Sequence, residues 1–73
     1  MIHFTKYAEE KFEILQRHQV FFTKEMVKEA IETPEKETKK GGYVFAQKES
    51  CRVVYKKDKE MVKVFTFYPV KIE

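Results

Sequence analysis

The chain opens with "MIHFT", in which Ile2 and Phe4 alternate with His3 and Thr5, the period of two that marks a strand. The apolar period then lengthens. Tyr7, Ala8, Phe12, Ile14 and Leu15 recur at helical spacing and predict a helix over residues 6–18; Met26, Val27, Ala30 and Ile31 do the same over residues 24–33. Thr5 and Thr23 stand where N-caps belong, and Glu25 lies near the positive end of the second helix. Pro34 ends that helix, because the residue before a proline is pushed out of the α region. The stretch "PEKETKKGG", residues 34–42, reads as a polar loop closing on the only two glycines. Three strands follow, over about residues 43–48, 50–57 and 60–68. The order β-α-α-β-β-β predicts one α+β domain over residues 1–73, its two helices packed on one face of a mainly antiparallel sheet.

Side-chain parity then assigns the sheet faces. Tight turns at Asp58-Lys59 and Lys48-Glu49 place Tyr55 opposite Val62, Val53 opposite Val64, Cys51 opposite Thr66, Ala46 opposite Cys51 and Val44 opposite Val53. These residues share an aliphatic face that suits helices. Tyr43, Phe45, Arg52, Val54, Lys56, Met61, Lys63, Phe65 and Phe67 share the other, which is aromatic and basic and forms the candidate working surface. A one-residue slip in either turn swaps the faces of that hairpin, and neither turn carries Asn-Gly or Asp-Gly to pin it. In the competing arrangement Phe65 and Phe67 belong to the core and Arg52 and Lys56 reach outward along their stems.

Two polar residues interrupt the apolar stripe of the first helix. Lys11 and His18 fall between Tyr7, Ile14 and Leu15 on the helical projection. One reading has Lys11 snorkel past the sheet edge while His18 fills space at the helix end. The other makes Lys11 a cation at the rim of a site.

Composition narrows the function classes. Hydrophobic residues make up 42% of the chain and charged residues 37%, which supports a folded core under a mixed-charge surface. The net charge of +3 permits a polyanionic partner without demanding one. Cys51 is the only cysteine, so no internal disulfide forms and a reducing, cytoplasmic setting is expected. No run has the length of a membrane span, so no membrane association is expected. A glycine-rich phosphate loop, an HExxH pair and a nucleophile elbow are all missing from the sequence. His3, His18 and Cys51 make neither a credible metal set nor, with Cys51 under the helices, a nucleophile and base; no metal and no cofactor are expected.

The segments "HFTKYAEEKFEIL", "KEMVKEAIETPEK", "GGYVFAQKES" and "CRVVYKKDKEMVKVFTFYP" together resemble a family of small prokaryotic domains of unknown function grouped with the RelE/ParE and BrnT toxin superfamily. The resemblance covers nearly the whole chain. Family members usually begin the first helix with His-Ala, where this chain has Tyr7-Ala8; Arg52 and Pro69 match the family's arginine and closing proline. The resemblance implies a RelE-like fold, an open sheet face used on RNA or the ribosome, metal-independent mRNA cleavage and an antitoxin partner. On that reading Arg52, Lys56 and Lys63 serve phosphates, Tyr43, Phe45 and Phe65 stack bases, and Arg52, Lys56, Lys11 and His3 are the candidate catalytic groups. The alternative is a non-catalytic module whose aromatic face docks a protein partner or a second copy in a homodimer.

Overall fold

The computed structural model describes residues 1–71. Strand β1, Ile2–Phe4, leads into helix α1, Lys6–Arg17, and helix α2, Lys24–Glu32. Four strands complete the chain: β2, Lys36–Lys40; β3, Tyr43–Lys48; β4, Cys51–Asp58; and β5, Met61–Pro69. Both helices begin where the threonines are. The Thr5 hydroxyl accepts from the Ala8 N–H at 3.1 Å and that of Thr23 from the Met26 N–H at 3.2 Å, each satisfying a donor that has no partner within the helix. Gln19 closes α1 in the left-handed region, φ 62°, and the chain turns back as Val20 N–H donates to the Leu15 carbonyl.

The strands form one mixed sheet in the order β1-β5-β4-β3-β2. β1 runs parallel to β5 at one edge, and every other neighbour is antiparallel. The chain therefore starts at one edge, crosses the sheet through both helices and re-enters at the other.

The segment expected to be a loop contains β2. Lys36–Lys40 is exposed at every position and has no apolar residue, so no hydrophobic alternation marks it. Backbone pairing with β3 makes it a strand, and the turn is Gly41-Gly42, with φ of 59° and 83°. Positive φ at both central residues is the geometry that favours Gly-Gly in a two-residue hairpin. Its lysines suit an edge, where charge discourages pairing with another chain.

The other two turns lie one residue later than expected, since Lys48 pairs with Cys51 and Asp58 with Met61. Each displacement changes the register by two residues and so keeps the faces. Ala46 is opposite Val53, Val44 opposite Tyr55 and Tyr55 opposite Val64, all on the helix side as expected. Past Tyr55 the register steps again: Val54 pairs with Thr66 and Val53 with Phe67, leaving Phe65 as an extra residue in a β-bulge. The bulge reverses the parity of the last part of β5. Phe67, expected on the aromatic and basic face, is instead fully buried under the helices, and Thr66, expected opposite Cys51 under the helices, lies opposite Val54.

The core sits between the helices and that face. Ala8 and Leu15 of α1 and Val27 and Ala30 of α2 close over Ala46, Cys51, Val53, Tyr55, Val64 and Phe67. Small residues on the helices let them approach, and aromatic rings fill what remains: Phe12 lies 4.4 Å and Phe22 6.1 Å from the Phe67 ring, centroid to centroid, with Phe4 5.7 Å from Phe12. Exposed ion pairs tie the layer together at its rim, Lys24 with Glu9 at 3.4 Å and Lys48 with Glu29 at 3.8 Å, and such pairs contribute little each. The apolar stripe of α1 is wider than its contact. Tyr7 and Ile14 remain 57% and 40% exposed, and Lys11 is half-buried with its ammonium 5.9 Å from the Tyr7 ring. His18 is exposed at the helix end. No helix is long and apolar enough to cross a membrane.

Candidate nucleic-acid interface

The face turned away from the helices is organised in rows that run across the strands. The first row is Lys36, Gln47, Arg52 and Tyr68; the second is Thr38, Phe45, Val54 and Thr66. The third starts at Lys40 beside Tyr43 and continues through Lys56, Lys63 and His3. The third row crosses all five strands, about 19 Å at the usual 4.7–4.9 Å strand spacing.

Aromatic and apolar residues form the floor. Val54 is only 9% exposed although it lies on the open face, because Phe45 and Thr66 flank it. Phe65 shares this face with Lys63 two residues before it, and its ring meets that of Tyr43 edge to face at 5.4 Å. Three of its long cations lie along a ring. The Lys56 ammonium is 5.0 Å from the Tyr43 centroid, that of Lys63 is 5.8 Å from Phe65, and the Arg52 guanidinium is 6.0 Å from Tyr68. Arg52 is further held by its Nη2, which donates to Gln47 Oε1 at 2.8 Å.

The charge balance of this face is one-sided. Lys36, Lys40, Arg52, Lys56 and Lys63 project from it, and the strand pairing gives it a single carboxylate, Asp58, at the end of β4. With a net charge of +3 on the whole chain, the entire excess sits here and the rest is close to neutral. Among the described residues none of these five cations is in a salt bridge, whereas the three bridges present all involve residues of the helices. Lys56 and Lys63 are directly cross-strand, an arrangement that costs stability.

Tyr43, Phe45, Arg52, Lys56, Lys63 and Phe65, the six residues expected to make the interface, are therefore brought together on one face. Lys11 is not among them: α1 lies on the far side of the sheet. Tyr68 joins Arg52 on this face because the bulge shifts the parity of the end of β5. Lys36, Thr38, Lys40 and Gln47 were not foreseen as interface residues, and they line an open-topped hollow of about 360 Å³ with Phe45 and Arg52. The local signal was the Gly-Gly pair that closes "KETKKGG", a dipeptide that suits a two-residue hairpin.

Titratable groups on the other side do not compete as a site. Cys51 is buried, and burial pushes its thiol up to about 11, so it is a protonated core residue at neutral pH. The Tyr55 hydroxyl is also raised, by burial first and then by the Glu37 carboxylate. Among the described residues no three His, Cys, Asp or Glu side chains gather as metal ligands do. Compared with family models, curated proteins and solved structures, the chain finds no match, so function is argued from this geometry.

Proposed function

We propose that the chain binds single-stranded RNA on its open sheet face and acts as a toxin-type protein of the RelE/BrnT kind. The observation that carries the reading is the Lys56 and Lys63 pair, held opposite each other with each head beside an aromatic ring. Two unpaired like charges are costly in the free protein and become favourable once the successive phosphates of a strand lie against them. Tyr43, Phe45 and Phe65 offer π-faces next to the phosphate track, the combination that single-stranded nucleic acid requires. A homodimer through this face would set the cationic row against its own copy, which opposes that use.

In the cleaving form of this reading His3 is the base, since it is the imidazole of the lysine row and Lys11 lies across the sheet. His3 takes the proton of a 2′-hydroxyl as the 2′ oxygen bonds to phosphorus. The bond from phosphorus to the 5′ oxygen breaks, a lysine ammonium of the row protonates that oxygen, and the remaining cations carry the phosphorane charge. Fluorescence anisotropy with a labelled single-stranded RNA tests the binding, comparing wild type with Lys56→Ala/Lys63→Ala. Equal affinity of the two proteins overturns the reading. A cell-free translation reaction then tests the chemistry: wild type is expected to stop synthesis with cut mRNA, and His3→Ala to bind RNA and leave it intact.

A further inference from the structure

The hollow beside β2 differs in kind from the lysine row. Its volume of about 360 Å³ lies at the lower end of the roughly 300–1,000 Å³ of small-molecule sites. Lys36, Gln47 and Arg52 are successive cross-strand neighbours at one end of it, Phe45 and Thr38 pair across its middle, and Lys40 stands at the other end. Gln47 holds the Arg52 guanidinium through one nitrogen, which leaves the remaining N–H groups of a planar fork for a ligand. Lys36 approaches the same end from the edge strand, and no described carboxylate pairs with either cation.

We infer that this hollow binds one nucleotide through a terminal phosphomonoester, with the phosphate between Arg52 and Lys36 and the base over Phe45. Two cations line this end of the hollow, one more than the single charge of a phosphodiester requires. A monoester carries about −1.5 to −2 at neutral pH and matches both. Bidentate contact from Arg52 suits its oxygens, and the Phe45 ring gives the base a stacking surface. From Lys40 the third row leads on to Lys56 and Lys63, so an RNA whose end occupies the hollow continues along the phosphate track. The inference rests on the reading of this face as an RNA surface and specifies that the hollow takes an RNA end.

The test is calorimetric titration of the whole protein with adenosine 5′-monophosphate, adenosine 3′-monophosphate, adenosine and inorganic phosphate. At least one monophosphate is expected to bind about tenfold or more tightly than adenosine and than phosphate alone, and which one binds identifies the RNA end. Lys36→Ala, a change at an exposed edge position that the core does not use, and Arg52→Gln are each expected to remove that advantage. Lys56→Ala/Lys63→Ala is expected to keep it. Monophosphates no tighter than adenosine, or unaffected by Lys36→Ala, overturn the inference even where oligonucleotide binding depends on Lys56 and Lys63. Monophosphate binding in a protein that ignores oligonucleotides upholds the hollow and removes the track.

Discussion

Lys56 of β4 and Lys63 of β5 are directly paired on the open face, one ammonium over Tyr43 and the other over Phe65. A neutral or acidic residue at either position would suit the isolated fold better. Lys63→Glu is expected to turn a repulsive pair into an attractive one and to raise stability by about 0.2–1 kcal/mol, read as a higher urea midpoint at unchanged slope. The same variant is expected to lose RNA affinity. A fall in both quantities would mean that Lys63 has a structural role that the geometry does not show.

Salt dependence measures how many phosphates the third row engages. Lys40, Lys56 and Lys63 neutralising three phosphates give a slope of log K against log salt of about −2, at about −0.7 per phosphate on a single strand. Lys56→Ala/Lys63→Ala is expected to reduce it to about −0.7. A shallow slope in the wild type would indicate an apolar docking surface, whose affinity holds or tightens as salt rises.

The bulge is tested by two phenylalanines that stand two positions apart. Phe67→Ala empties the centre of the core and is expected to cost about 3–5 kcal/mol. A core of this size supplies about the same in total, so circular dichroism should find the variant largely unfolded at 25 °C. Phe65→Ala should remain folded and lose about 1–3 kcal/mol of RNA binding.

Alkaline pH should destabilise the fold through two buried groups. Cys51 is raised from 9.0 to about 11 by burial, and Tyr55 is raised too, by burial and then by Glu37. Both are neutral when protonated, so above pH 9 the unfolded chain ionises its cysteine while the folded chain does not. The contribution is complete below about pH 9 and is lost up to about pH 11, some 2–3 kcal/mol for the thiol alone. Urea unfolding across that range should show a decline that Cys51→Ala makes shallower. Native protein at neutral pH should leave a thiol reagent unreacted until urea exposes Cys51.

Much of the architecture was readable because each feature had a local cause. Thr5, Thr23 and Pro34 mark helix ends through hydrogen-bonding capacity and φ restriction. The faces of β3 and β4 survived turns misplaced by one residue, since the register then moves by two and parity is unchanged. The bulge had no such cause in the strand itself. No glycine marks it, and Phe65 and Phe67 have the same side-chain chemistry; burying Phe67 between Phe12 and Phe22 is a tertiary choice. β2 was missed because alternation is sought among apolar residues, and Lys36, Thr38 and Lys40 alternate without any. The candidate face was accordingly legible on β3 and β4, partly on β5, and not at its β2 edge.

Phe65 has a standing that no other interface residue shares. Val64 and Thr66 already have partners in Tyr55 and Val54, which are adjacent along β4. The ladder would close without Phe65, and every neighbour on either side would keep its face. Most deletions inside a strand invert whatever follows, but a loss of one codon here keeps the parity of hairpin, core and lysines and removes one aromatic ring, together with the carbonyl that accepts from the Thr5 hydroxyl at 3.4 Å. Gain or loss of that ring therefore takes a single insertion or deletion, whereas anywhere else in the ladder the same event would turn the following side chains over.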